Sequence, residues 1–127
     1  MNVFAQGFAV AAALMHLWIF GQESVFFRRT AVHGMFDVRA ADVEAVRPWA
    51  FHQGCYNAFL ALQALTGVVV VHLSGGTAGG RALVLAAGAS MLAASVALFA
   101  FDPRRSRVRG LVGQGVPALA TLVATLV

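Results

Sequence analysis

Four long apolar segments, separated by three polar connections, organise this chain. They cover residues 3–27, 49–73, 82–101 and 110–127. An α-helix needs about 20 residues to cross a hydrocarbon core roughly 30 Å thick, and even the fourth segment is barely long enough. The pattern therefore predicts a single all-α domain, residues 1–127, folded as an integral membrane four-helix bundle.

Turn and breaker residues define the connections. The first, Thr30 to Arg47, is predicted to hold a short surface helix that Asp37 or Asp42 caps and that ends before Pro48. Pro117 is predicted to kink the fourth helix. The second connection is predicted to be a flexible turn containing Gly75, Gly76, Gly79 and Gly80. Small residues spaced four apart in the third segment predict close helix packing, namely Ala82, Ala86, Ser90 and Ala94.

The composition supports a membrane protein. Of the 127 residues, 60% are hydrophobic and only 11% are charged, which is too apolar for a soluble domain of this size. All nine cations are arginines, and eight lie in the first and third connections. By the positive-inside rule these connections face the cytoplasm of a multi-pass protein in the cell inner (plasma) membrane. No basic face with interleaved aromatic residues is present, so we expect no nucleic acid partner.

Polar side chains recur at one depth in three of the segments. Glu23 lies five residues before the arginine that ends its segment, and Gln53 and Gln114 lie six and five residues after the arginines that precede theirs. At helical rise each is roughly 7–9 Å from the arginine-marked edge. Three further polar residues lie deeper in the first two segments. Tyr56 and Asn57 are about one turn further from the arginine-marked edge, and His16 is two turns further than Glu23. The shared depth predicts one inward-facing polar pocket.

The residue types predict acid–base chemistry in this pocket. A charged carboxylate at membrane depth is unfavourable, so Glu23 is predicted to donate or accept a proton. Tyr56 and His52 share a helix face and are predicted to relay a proton or orient a substrate. The predicted catalytic residues are thus Glu23, Tyr56 and His52. The predicted substrate-binding residues are His16, Trp18, Gln53, Asn57 and Gln114.

Each residue also has a structural interpretation that the sequence leaves open. Glu23 can pair with Arg28 or Arg29 near the helix end. The amide side chains and His16 can serve as hydrogen-bonding contacts between helices. The histidines show no tight metal-ligand spacing, and we expect neither a metal nor another cofactor.

Three ordered motifs carry a resemblance to a known family. They are Met15-His16-Leu17-Trp18-Ile19-Phe20 with Glu23, then His52-Gln53-Gly54-Cys55-Tyr56-Asn57, then Gly113-Gln114-Gly115-Val116-Pro117-Ala118. The chain resembles a family of small bacterial membrane proteins catalogued as domain of unknown function thirteen hundred and four. That family usually has Asn and Leu where this chain has His52 and Cys55. The resemblance implies four membrane helices and brings no activity with it.

Two function classes remain open at this point. One is an enzyme, of isomerase or cyclase type, that acts on a lipophilic small molecule such as a terpenoid or a sterol-like lipid. The other is a non-catalytic membrane protein that binds a lipid or a quinone or assists transport. Membrane lipid is an expected partner in both cases, and a homo-oligomer is a further expectation.

Overall fold

The computed structural model describes residues 1–74 and 78–127, and they are almost entirely helical. A π-helical turn, Gly21–Val25, extends the first helix, and a 3₁₀ turn, Ala40–Asp42, leads into the third. The all-α prediction is confirmed. The helices are α1 (Val3–Phe20), α2 (Thr30–Met35), α3 (Val43–Leu73), α4 (Ala78–Phe101) and α5 (Arg105–Leu126).

The four long helices pack in the cyclic order α1, α3, α4, α5, and α5 returns to contact α1. Small side chains dominate the centre of this arrangement, where they let the helix backbones approach closely. We call this centre the alanine cluster. It consists of Ala12, Ala13, Ala61, Ala64, Ala87, Met91 and Ala118.

Glycine permits the closest contact between α3 and α4. A Cβ on Gly67 would lie 2.8 Å from the carbonyl oxygen of Gly80, and a Cβ on Gly80 would lie 2.9 Å from that of Gly67. Gly79 and Gly80 are helical because α4 begins at Ala78, so the flexible turn predicted there is wrong for both. Gly80 is needed for close packing. The other two glycines of that prediction, 75 and 76, lie outside the described residues.

The small-residue stripe predicted to pack α4 faces outwards. Its four members are exposed: Ala82, Ala86, Ser90 and Ala94. The buried face instead contains Gly80 and Gly88, together with Met91. Two faces of α4 carry small residues, and the face with glycines allows the nearer approach. That face therefore takes the interior, and the prediction is wrong.

The helix α3 begins before Pro48, contrary to the predicted break. Pro48 is the sixth residue of α3, where its missing N–H removes a bond only from the start of the helix. Val43 anchors this start because it is buried with Phe27. Asp42 precedes the helix without capping it, since its carboxylate accepts a 2.8 Å hydrogen bond from Arg39 Nε. At the other end of the chain, α5 begins at Arg105, five residues before the predicted segment.

Charged residues join the first and third connections at one end of the helices. Ser106 Oγ donates to Asp37 Oδ2 at 3.0 Å, and Arg107 Nη1 lies 3.5 Å from the same oxygen. Hydrogen bonds from Arg104 and Arg107 lower the pKa of Asp102 to about 2. We call this side of the molecule the arginine end. Asp37 has a φ of 61°, a conformation that Asp tolerates better than most residues.

Three stretches are long and apolar enough, by length and composition, to cross a membrane. They are Val3–Val25, Ala40–Leu73 and Ala78–Phe101. Among the described helices, α5 is not one of them, and three of its first five residues are arginines.

We expect Gly67→Ala to destabilise the protein, because the new methyl group meets the α4 backbone. Overpacking of this kind lowers the free energy of unfolding by about 1–3 kcal/mol. Denaturation of the purified protein in detergent, followed by circular dichroism, measures the change.

Gly79→Ala is the matched control, because a Cβ there has nothing within 4 Å. It should be neutral or slightly stabilising, since Ala favours a helix over Gly. Equal effects of the two substitutions would contradict the close α3–α4 contact.

Candidate functional site

A carboxyl–amide pair joins α1 to α3 near the arginine end. Asn57 Nδ2 donates to Glu23 Oε2 at 2.9 Å and to the backbone oxygen of Gln53 at 3.2 Å. Asn57 is 5% exposed, and Glu23 is half-buried. Both amide hydrogens of Asn57 are therefore committed, and one of them holds an oxygen of Glu23 in a fixed position.

Glu23 lies on the π-helical turn rather than on regular α-helix. The wider turn is marked by the bond from Phe26 N to Gly21 O at 2.9 Å, five residues apart. Ser24, next along the turn, donates from Oγ to Phe51 O on α3 at 3.1 Å. Single π-helical turns are rare and are frequent at functional sites. Here the turn directs two consecutive polar side chains at α3.

Gly54 makes room for this turn. A Cβ at position 54 would lie 2.1 Å from Ser24 Oγ and 3.1 Å from Glu23 Cβ. A larger residue at position 54 would therefore require Ser24 and the π-helical turn to move away from α3. This explains the glycine in the middle of the polar motif His52 to Asn57.

The nearby arginines bind other groups. Arg28 Nε donates to Glu44 Oε1 at 2.9 Å, and the Arg29 guanidinium lies 4.3 Å from the centre of the Phe26 ring. The pairing of Glu23 with Arg28 or Arg29, which the sequence left open, is not observed. Among the described residues only Oε2 of Glu23 accepts a hydrogen bond, and Oε1 accepts none.

Asn57 also belongs to a layer of polar residues one turn from the alanine cluster. We call it the polar layer, and each long helix contributes one residue to it. Every member lies four residues from a cluster member on its own helix, towards the arginine end. The members are His16 from Ala12, Asn57 from Ala61, Ser95 from Met91 and Gln114 from Ala118.

The members of the polar layer differ in burial. His16 is 0% exposed, Ser95 is 1% exposed and Gln114 is half-buried. Ser95 Oγ donates to Leu92 O at 2.8 Å, and a Cβ at Gly115 would lie 2.8 Å from that same Oγ. Sequence reasoning missed Ser95. Its spacing of seven residues from Gly88 was the available signal, because both lie on the glycine face of α4.

Several predicted site residues lie on the outer surface of α3. Gln53, His52 and Tyr56 are exposed, and the His52 and Tyr56 rings meet edge to face with centres 4.9 Å apart. Tyr56 makes a second edge contact with Phe59 at 6.3 Å. The structure thus brings Glu23 and Asn57 together and places these other side chains on the outer surface.

Two shallow depressions occur on the surface near these residues. One is lined by Pro48, Trp49 and His52. The second is lined by Ala11, Leu14, Met15 and Trp18, so Trp18 is separate from the Glu23–Asn57 pair along α1. Trp18 itself is 64% exposed. These depressions supply apolar and aromatic contact area beside the helices.

We expect Gly54→Ala to displace the π-helical turn from α3, because the methyl group overlaps Ser24 Oγ. The free energy of unfolding should fall by about 1–3 kcal/mol, as for other overpacked positions. The double variant Ser24→Ala/Gly54→Ala removes the overlapping hydroxyl and should recover part of the loss. Chemical unfolding in detergent tests both, and additive losses in the double variant would contradict the contact.

The comparisons with known proteins identify a family. No curated protein and no solved structure matches the chain. A family described as "Protein of unknown function (DUF1304)" matches residues 10–126, which include all three motifs. The chain belongs to this family of unknown function.

Proposed function

We propose that the protein is a multi-pass protein of the cell inner membrane, with α1 and its π-helical turn, α3, α4 and α5 each crossing the lipid. Three of these stretches are apolar and long enough, and α5 packs between α4 and α1. Large apolar side chains are exposed on all four helices, which suits lipid and not water. Examples are Leu14, Phe59, Val96 and Val116.

In this arrangement the arginine end faces the cytoplasm. Eight of the nine arginines lie in or beside the two connections at this end, and Arg81 is at the other. Arg81 Nη2 donates to Thr125 O at 2.6 Å, where it complements the C-terminus of α5. This unequal distribution of arginines between the two ends of the helices is the one that the positive-inside rule describes.

We propose that Glu23 transfers a proton to and from a lipid-soluble small molecule. The observation that carries this proposal is the position of Glu23 on a π-helical turn, with Oε2 fixed by Asn57. A fixed carboxyl group with one oxygen available is suited to general acid–base catalysis. The alternative role as a surface ion pair loses its support, because Arg28 binds Glu44.

The reaction class we propose is isomerisation or cyclisation of a terpenoid or sterol-like lipid. The carboxyl group gives its proton to one carbon of an alkene, and the resulting cation loses a different proton to the same carboxylate. Atoms and charge balance without a cofactor. Substrate reaches the half-buried Glu23 from the lipid, along the face of α3 that carries Tyr56 and His52.

A non-catalytic lipid-binding or quinone-binding protein is the second candidate. The observation that favours it is the exposed row of rings on α3, where His52, Tyr56 and Phe59 contact one another at successive turns. Such a row offers stacking and polar contacts to a bound lipid at the membrane edge. In a homo-oligomer a second copy would cover the same face.

The proposed topology predicts the labelling of introduced cysteines. In a Cys55→Ala background, Gly34→Cys and Ser106→Cys should react with a membrane-impermeant maleimide only after the cells are opened. Ser74→Cys, at the opposite end of α3, should react in intact cells. Labelling of positions 34 and 106 from opposite sides would contradict the four-span arrangement.

The proposed chemistry predicts that deuterium enters a lipid and that this depends on Glu23. Proteoliposomes containing a total lipid extract of the host membrane are incubated in D₂O, and mass spectrometry finds lipids that gain deuterium. Glu23→Gln keeps the size of the side chain and removes the ionisable carboxyl group, since an amide neither donates nor accepts a proton readily near neutral pH. The rate of labelling should fall by about 10²–10⁴-fold, the usual contribution of an acid–base group.

Glu44→Gln is the matched control, because it makes the same change at an exposed carboxyl group. It should label lipids at the unaltered rate. Equal labelling by Glu23→Gln and the unaltered protein would exclude the acid–base role. No labelling above protein-free liposomes, with any variant, would favour the non-catalytic candidate.

A further inference from the structure

His16 has a defined tautomer in the centre of the helices. Its Nδ1 lies 2.9 Å from Ala12 O, and because a carbonyl oxygen only accepts, Nδ1–H is the donor. A neutral imidazole with a proton on Nδ1 has a lone pair on Nε2. The neutral ring is the favoured form here, since an imidazolium would bury a second N–H and a charge in an apolar interior.

This lone pair has no hydrogen-bond donor in the part of the chain that the structure describes. His16 is 0% exposed, and Nε2 is buried without a hydrogen-bond partner among residues 1–74 and 78–127. Buried polar atoms in folded proteins are nearly always hydrogen-bonded. The atom therefore calls for a donor from outside the chain.

The other members of the polar layer determine what kind of donor fits. Asn57 has both amide hydrogens committed, and the Ser95 hydroxyl donates to its own helix. The Gln114 side chain makes no hydrogen bond within the described residues, so its amide N–H groups are available. Its Nε2 lies towards Gly110, where a Cβ would be 3.8 Å from it, so no other member of the layer supplies a donor to His16.

We infer that the polar layer binds a hydroxyl group from outside the chain, which donates its O–H to His16 Nε2. A hydroxyl oxygen can donate and accept at once, which a carbonyl or ether oxygen cannot. The hydroxyl belongs either to a water molecule or to a lipophilic alcohol. Binding of the hydroxyl group does not depend on proton transfer at Glu23, which lies two helical turns away. Only the suggestion that the hydroxyl belongs to an alcohol substrate rests on the proposed function.

Nitrogen NMR of the histidine rings tests this inference. The protein is labelled with ¹⁵N-histidine in liposomes, with the exposed His52 and His72 changed to Asn and Gln, so that two rings remain. His33 is the internal control, because its Nδ1 also donates to a carbonyl oxygen, Val38 O, at 2.7 Å. Both rings should show a protonated Nδ1, and Nε2 of His16 should carry no proton of its own.

Two arms distinguish the source of the hydroxyl. If water is bound, magnetisation passes from water protons to His16 Nε2 in buffer alone. If an alcohol is bound, the Nε2 resonance shifts on addition of a long-chain alcohol and does not shift with the matched alkane. Either result supports the site.

Two results would overturn the inference. One is a proton on Nε2, which would mean that the tautomer is wrong. The other is an Nε2 resonance typical of a lone pair without a hydrogen bond, unchanged in both arms. Glu23→Gln should leave every signal of His16 in place, so failure of this inference is separable from failure of the proposed acid–base chemistry.

Discussion

Close contact between helix backbones at glycine and alanine positions is the constraint on which the rest of the structure depends. The alanine cluster brings four helices together, and Gly67 and Gly80 extend the contact between α3 and α4. In hydrocarbon, helices associate through such packing because lipid supplies no hydrophobic force between them. Once the cluster is formed, a residue one turn from it on the same face is also directed inwards. The polar layer follows from this geometry.

The sequence predicted the helices and the depth of the polar residues, but not their rotation about each helix. Counting from the arginine edges placed Gln53 level with Glu23, and Gln53 is exposed while Asn57 is buried. The difference is Gly54, which fits against Ser24 and so turns that face of α3 towards α1. The depth of a polar residue follows from its position along the chain. The rotation of a helix about its axis depends on which of its glycines packs against a neighbouring helix.

Two further errors have the same origin. The stripe that begins at Ala82 matched the spacing expected for close packing, yet Gly80 and Gly88 allowed a closer fit on another face of α4. Pro48 is a helix breaker by its chemistry, but near the start of α3 it disturbs little, and burial of Val43 extends the helix before it. The π-helical turn has no signature in residue types, because it depends on contact with Gly54. Rules based on local sequence failed at the positions where contacts between helices determined the structure.

Asn57 connects the two parts of the site. Its amide hydrogens bind Glu23 at the edge of the arrangement and the backbone of its own helix, while its position four residues from Ala61 places it in the polar layer. A rotation of this side chain to donate elsewhere would release Glu23 Oε2. One side chain therefore fixes the orientation of the carboxyl group and also forms the α3 position of the polar layer. Glu23 is therefore held by a side chain that is itself only 5% exposed.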